Sequence, residues 1–91
     1  MTDPDAREAR LKKLRMRSWR RGMKEMDLIF GPFADTTLAE FSEERLDAYE
    51  RLLEENDQDL YLWVTGAQSA PDHLAPLLSE IATAAGVARR H

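Results

Sequence analysis

The sequence predicts a small, all-α protein built as a five-helix bundle. Apolar residues recur at helical spacing in several segments, and no segment alternates apolar and polar residues with the period of two typical of strands. Only four glycines and four prolines punctuate the 91 residues, which leaves room for long helices. A chain of this length buries enough surface for one core only, so we expect one domain over residues 1–91, frayed at 1–5 and 87–91.

The first helix is predicted from Asp5 to about Ser18. This stretch is rich in alanine, arginine, lysine and leucine, which favour helices. Its apolar stripe is narrow, with Leu11 and Leu14 three positions apart. Gly22 is expected at the junction with the second helix, because glycine is costly inside a helix.

The second helix has the strongest amphipathic pattern in the chain, formed by Met23, Met26, Ile29, Phe30 and Phe33. We expect this face to be core. The pair Gly31–Pro32 is expected to break or kink the helix, since Pro32 has no N–H to donate to the carbonyl of Leu28.

The third helix has clear start signals. Ser42 is a typical N-cap, acidic residues fill the first turn, and Phe41 with Leu46 has the spacing of a hydrophobic staple. The helix is expected to stop near Asn56.

Asp57 is expected to cap a short fourth helix, with Gly66 at its left-handed C-terminal position. The fifth helix is predicted around Leu74–Ala85 and ends at Gly86. Its start is less well defined, because Pro71 suits a first helical position but Pro76 interrupts five residues later.

The charges are distributed unevenly along the chain. Residues 1–25 carry nine lysines or arginines against four acidic residues, whereas residues 26–88 carry thirteen acidic residues and two arginines. The basic segment raises the alternative of a nucleic-acid-binding module, because lysine and arginine neutralise phosphates. The pI of about 5.1 argues against that alternative, since most of the body would repel a polyanion.

Catalytic chemistry is not expected from these residues. There is no cysteine, His91 is the last residue, and His73 stands alone, so no nucleophile–base pair or metal cluster is predicted. No glycine-rich phosphate loop occurs. We predict no catalytic residue, no metal site and no enzyme. The absence of a signal-peptide pattern and of a long apolar run predicts a cytoplasmic protein without membrane insertion.

The segment Arg-Arg-Gly-Met-Lys-Glu-Met-Asp (residues 20–27) has two interpretations. In the simpler one, Gly22 ends a helix, the cations are solvated, and Glu25 pairs with Arg21 four positions earlier. In the functional one, Gly22 allows another backbone to approach closely beside an arginine and a carboxylate, which makes a recognition surface.

This segment, the Gly-Pro-Phe at 31–33 and the run Leu-Leu-Glu-Glu-Asn-Asp-Gln-Asp-Leu-Tyr-Leu-Trp at 52–63 resemble the succinate dehydrogenase assembly factor family. The similarity extends from about Leu14 to Gly66. Members are five-helix proteins with an Arg-Gly-x-x-Glu motif, which falls here on Arg21, Gly22 and Glu25. No function is carried onto residues 67–91, which match only in being helical.

The resemblance implies an assembly factor that docks on the flavoprotein subunit of succinate dehydrogenase or fumarate reductase. It would promote covalent FAD attachment to a histidine of that partner, without binding a cofactor stably itself. We expect a monomer. An antitoxin-like module that neutralises a small toxin remains an alternative. The predicted partner-binding residues are Arg20, Arg21, Gly22, Met23, Glu25, Asp27, Asp59 and Tyr61, although Asp57 and Asp59 fit helix caps better than contacts.

Overall fold

The computed structural model describes residues 4–86, in which five α-helices and one 3-10 turn form an all-α fold. The helices are α1 (Pro4–Trp19), α2 (Lys24–Thr37), α3 (Glu43–Leu53), α4 (Asp57–Thr65) and α5 (Ala75–Ala85), and the 3-10 turn is Leu38–Glu40. The predicted fraying concerns ends that lie mostly outside these residues. Pro4 and Asp5, however, form the first turn of α1.

The second helix, α2, lies at the centre of the fold and contacts α1, α4 and α5. It runs through Gly31–Pro32 to Thr37, so the alternative of a break at that pair is wrong. Phe30 precedes the pair and Phe33 and Ala34 follow it, and all three are buried. Their burial holds both sides of the proline in place, which offsets the hydrogen bond that Pro32 removes.

The core is centred on four aromatic rings from α2, the segment after the 3-10 turn, and α3. Phe33 stacks on Tyr49 at 6.0 Å between ring centroids, while Phe30 and Phe41 meet Tyr49 edge-on. Leucines from every α-helix except α2 complete the core. The narrow stripe of α1 supplies Leu11 and Leu14, as predicted, and both are buried.

The helix ends confirm most of the predicted caps. The Ser42 hydroxyl accepts the backbone N–H of Arg45 at 3.2 Å, and Gly66 and Gly86 end α4 and α5 with φ of 80° and 70°. The prediction that Asp57 caps α4 is wrong. Asn56 is the cap, accepting the N–H of Gln58 at 2.8 Å, and Asp57 is the first helical residue.

The start of α5 follows a turn in which the carbonyl of Pro71 accepts the N–H groups of Leu74 and Ala75. Pro76 lies in the first turn of the helix, where a missing N–H costs no helical hydrogen bond. Among residues 4–86, no helix is both long and apolar enough to cross a bilayer.

Candidate partner-binding site

The segment that joins α1 to α2, residues 20–23, is named here the Gly22 loop. Gly22 is exposed and has a φ of +92°, a conformation that residues with a side chain rarely adopt. A Cβ atom added to Gly22 would meet no atom within 4 Å. The loop therefore needs glycine for its backbone conformation, and the space in front of Gly22 is open to another molecule.

Arg21 turns its side chain inward, toward the corner between α3 and α4. Its Nε atom donates to Asp57 Oδ1 at 2.8 Å, and its Nη atoms donate to the carbonyls of Leu53 and Glu55. The side chain of Arg21 is only 9% exposed and that of Asp57 19%. The expected pair between Arg21 and Glu25 does not form, because the guanidinium points away from α2 and is already committed to this corner.

Asp27 fixes the loop from the other side. Its Oδ1 atom accepts the backbone N–H of Arg21 at 2.6 Å, and the aspartate is half-buried in the first turn of α2. This hydrogen bond gives the carboxylate of Asp27 a structural role in the fold. Asp27 thereby ties the residue before Gly22 to α2.

Three charged side chains of this region point outward. Arg20, Lys24 and Glu25 are exposed, and no ion pair within 4.0 Å is formed by any of them with the part of the chain that the structure describes. Met23 is half-buried, packs against the core, and its carbonyl accepts the N–H groups of Met26 and Asp27. The surface around Gly22 is thus a backbone loop flanked by cations and one free carboxylate.

The start of α4 lies next to the Gly22 loop, because Asp57 pairs with Arg21. Asp59 is exposed in the first turn of α4, two positions after Asp57 and so on a different side of the helix. Tyr61 is half-buried and packs against the core, as does Trp63. The structure therefore leaves Asp59 free to meet a partner and gives Tyr61 a mainly structural setting.

A second surface feature was not found from the sequence. The indole of Trp19 covers Gly31, where an added Cβ would lie 2.3 Å from Trp19 Cδ2, and its Nε1 donates to Asp35 at 3.1 Å. Met16 and Leu28 are also large exposed apolar residues. The available signal was the glycine in the middle of an amphipathic helix, which indicates a close approach by another group.

Sequence reasoning also missed Asp57 as the partner of Arg21. The adjacent Asn56 and Asp57 are both good N-caps, and choosing Asn56 would have freed the aspartate for another role. No group of three or more His, Asp or Glu side chains that could hold a metal ion occurs among the residues described.

Comparison with known proteins identifies the family of the chain. Residues 12–85 match the family model described as flavinator of succinate dehydrogenase, which includes all the elements that form the Gly22 loop and its anchors. The chain belongs to this family of flavinators.

Relatives of this flavinator occur in fungi and bacteria. The chain is 44% identical over 64 residues to the mitochondrial succinate dehydrogenase assembly factor 2 of Aspergillus terreus. The matched region covers 70% of this chain and 21% of the relative. It is 42% identical over 67 residues to the FAD assembly factor SdhE of Idiomarina loihiensis, covering 71% and 74% of the two chains. The chain spans about a fifth of the Aspergillus relatives it matches. No solved structure matches it.

Proposed function

We propose that this chain is an assembly factor that docks through the Gly22 loop on the flavoprotein subunit of succinate dehydrogenase, or of the related fumarate reductase, and promotes covalent attachment of FAD to it. Membership in the flavinator family supports the class of partner. The name of the Idiomarina relative, FAD assembly factor SdhE, supports FAD as the group that is attached. The observation that carries the proposal is Gly22, exposed at positive φ with open space in front of it.

The mode of action in this proposal is positional. The two histidines, His73 and His91, lie outside the Gly22 loop, and the chain has no cysteine, so the loop offers no nucleophile to carry the flavin. The partner's own histidine forms the bond, and this chain holds the partner in the arrangement in which that reaction proceeds. We infer a monomeric, cytoplasmic, non-enzymatic factor that binds neither nucleic acid nor a cofactor of its own.

Within the docking surface, the backbone at Gly22 provides the closest approach. Any side chain there would project into the open space and separate the two proteins. Arg20 and Glu25, which are exposed and unpaired among the described residues, supply charges of opposite sign on either side of the glycine. Such charges at a rim favour correct orientation and faster association more than they add affinity.

The test is deletion of the gene followed by detection of covalently bound flavin by in-gel fluorescence of the succinate dehydrogenase flavoprotein. We expect the signal to be lost, and to be restored by the wild-type chain but not by Gly22→Arg. Gly86→Arg is a matched control, because Gly86 also has a positive φ and no atom within 4 Å of an added Cβ. Both substitutions place a residue with a side chain at positive φ, at a cost of about 1–2 kcal/mol each, but only one lies in the loop.

Full flavinylation with folded Gly22→Arg would contradict the docking site. Normal flavinylation in the deletion strain would contradict the function itself. A second comparison uses Glu25→Gln against Glu44→Gln, since both glutamates are exposed in the first turn of a helix. We expect only Glu25→Gln to lower the flavin signal.

A further inference from the structure

We propose that Arg21 is a positioning residue: its guanidinium locks the Gly22 loop to the corner between α3 and α4 and does not itself touch the partner. The inference rests on the proposed function for its meaning. It separates two neighbouring arginines, Arg20 and Arg21, that the sequence alone presents as equivalent parts of one charged surface.

The guanidinium of Arg21 is fully engaged inside its own chain. Its Nε and Nη2 atoms both lie 2.8 Å from Asp57 Oδ1. Nη2 also lies 2.9 Å from the carbonyl oxygen of Glu55, and Nη1 donates to the carbonyl of Leu53. All three guanidinium nitrogens are therefore engaged. With 9% of the side chain exposed, a partner could bind this guanidinium only by breaking these bonds.

Without Arg21, the corner between α3 and α4 would lack a hydrogen-bond donor. At the end of α3 the carbonyls of Arg51 and Leu52 accept the N–H groups of Glu54 and Glu55. The carbonyl of Leu53 comes next, and Arg21 supplies its donor. The last carbonyls of a helix have no partner within the helix, and the negative end of its dipole attracts a cation. Arg21 meets both needs from a position 32 residues away in sequence.

Arg21 is also held through its backbone. The N–H of Arg21 donates to Asp27 Oδ1 at 2.6 Å, so α2 holds its main chain while the α3–α4 corner holds its side chain. Gly22 follows directly after this doubly anchored residue. The loop is therefore ordered before any partner arrives, which reduces the conformational entropy lost on binding.

Lysine could not replace this arginine. The planar guanidinium donates in three directions to one carboxylate and two carbonyls, whereas an ammonium is a compact, strongly hydrated charge at the end of a flexible stem. Arg20 differs in every respect, because its side chain is exposed and has no ion pair among the described residues. At Arg20, a lysine would keep the charge and hence most of the effect.

The experiment measures binding of the purified flavoprotein subunit of succinate dehydrogenase to the full chain at two salt concentrations. The variants are Arg21→Lys, Arg21→Gln, Asp57→Asn and the double variant, with Arg20→Gln as the comparison. We expect each change at Arg21 or Asp57 to weaken binding about tenfold. The salt dependence of binding should stay as in the wild type. The double variant, Arg21→Gln with Asp57→Asn, should bind no more weakly than the single variant of the two that has the lower affinity. Arg20→Gln should instead slow association and reduce its salt dependence.

Two results would overturn the inference. If Arg21→Gln lowers the salt dependence and its effect adds to that of Asp57→Asn, then Arg21 touches the partner. If the variants that remain folded by circular dichroism bind with wild-type affinity, then Arg21 only stabilises the fold.

Hydrogen exchange in the free chain tests the anchoring even if no flavoprotein binds. The amide at position 21 donates to Asp27, and we expect it to exchange about tenfold faster in Arg21→Lys and Arg21→Gln. The amide of Arg45, which donates to Ser42, serves as the internal control. Unchanged exchange at position 21 would contradict the inference. Failure of the wild-type chain to bind the flavoprotein would contradict the proposed function and leave the exchange result to decide the role of Arg21 in ordering the loop.

Discussion

The two ends of α1 are attached to the rest of the fold by different kinds of contact. Near its N-terminus, Arg7 pairs with Glu43 at 2.6 Å, and Arg10 pairs with Glu43 at 3.0 Å and Asp47 at 2.6 Å. The side chains in these pairs are 25–53% exposed. Pairs of this kind contribute roughly 0–1 kcal/mol each, because water and salt screen them.

At the C-terminal end of α1 the contacts are buried or close-packed. The Ser18 hydroxyl donates to the carbonyl of Leu14 at 2.7 Å and therefore accepts the hydroxyl proton of Tyr49, also at 2.7 Å. Trp19 covers Gly31, and Arg21 closes onto the α3–α4 corner. Three elements thus fix the end of α1 that leads into the Gly22 loop.

The end of α1 that leads into the Gly22 loop is therefore held more firmly than the N-terminal end. At the N-terminal end of α1, before the buried Leu11, the exposed ion pairs of Arg7 and Arg10 with α3 add little stability. The buried contacts lie next to the residues proposed to meet the partner. In the proposed docking, an unanchored loop between α1 and α2 would lose conformational entropy on binding, and anchoring the loop within the fold reduces that loss.

The largest expected loss of stability follows from Arg21→Gln. Removal of the guanidinium leaves the carboxylate of Asp57 and the carbonyl of Leu53 without their donor in a largely buried corner. We expect the free energy of unfolding to fall by about 3 kcal/mol, measured by urea denaturation. Arg20→Gln, one position away and exposed, should change it by less than about 0.5 kcal/mol. Equal effects of the two substitutions would remove the distinction between anchored and exposed arginines.

A pH effect isolates the contact between Ser18 and Tyr49. Burial raises the pKa of Tyr49 well above the ordinary value of a tyrosine. Above pH of about 10 the unfolded chain loses this proton while the folded chain keeps it, so the folded state is destabilised as the pH rises. Below that pH the contribution is fully present.

We expect about 1.4 kcal/mol less stability from this group at pH 11 than at pH 9. The measurement is the difference between the wild type and Tyr49→Phe in urea denaturation, because lysine titration cancels in that difference. A difference that does not vary with pH would mean that Tyr49 is accessible to water.

The packing of Trp19 on Gly31 predicts a substitution whose effect changes sign. Gly31→Ala places a Cβ where the indole lies, so the ring must move away from α2 and from Asp35. We expect a net loss of about 1 kcal/mol, because the overpacking exceeds the gain in helix propensity. In a Trp19→Ala background the clash is absent, and Gly31→Ala should stabilise by about 1 kcal/mol. Stabilisation in both backgrounds would show that the ring does not depend on a glycine.

The sequence predicted the local features of this molecule better than the distant ones. The caps at Ser42, Gly66 and Gly86 depend on a few neighbouring residues, and all three are confirmed. The contact between Arg21 and Asp57 spans 36 positions, and nothing near either residue indicates it. The Gly22 loop could therefore be proposed as a candidate site from its motif, whereas the inward direction of Arg21 required the fold.

Helix α2 illustrates the same limit. The Gly31–Pro32 pair is a strong local signal for a break, and it was overridden by the burial of Phe30 and Phe33 on either side. Local propensity decides the conformation only where packing does not. The glycine in that pair has a different purpose, since it lets Trp19 lie against the helix.

The smallest expected effect is at the N-terminal end of α1. Arg10→Gln removes the pairs with Glu43, Asp47 and Glu50, and we expect a loss of about 0.5 kcal/mol at low salt. Because these groups are exposed, the difference from the wild type should nearly vanish in about 1 M salt, where the screening length is about 3 Å. The loss from Arg21→Gln should persist under the same conditions, since its pair is shielded from ions. Urea denaturation of both variants at the two salt concentrations measures this, and a salt-resistant loss at Arg10 would show that the two ends of α1 are anchored alike.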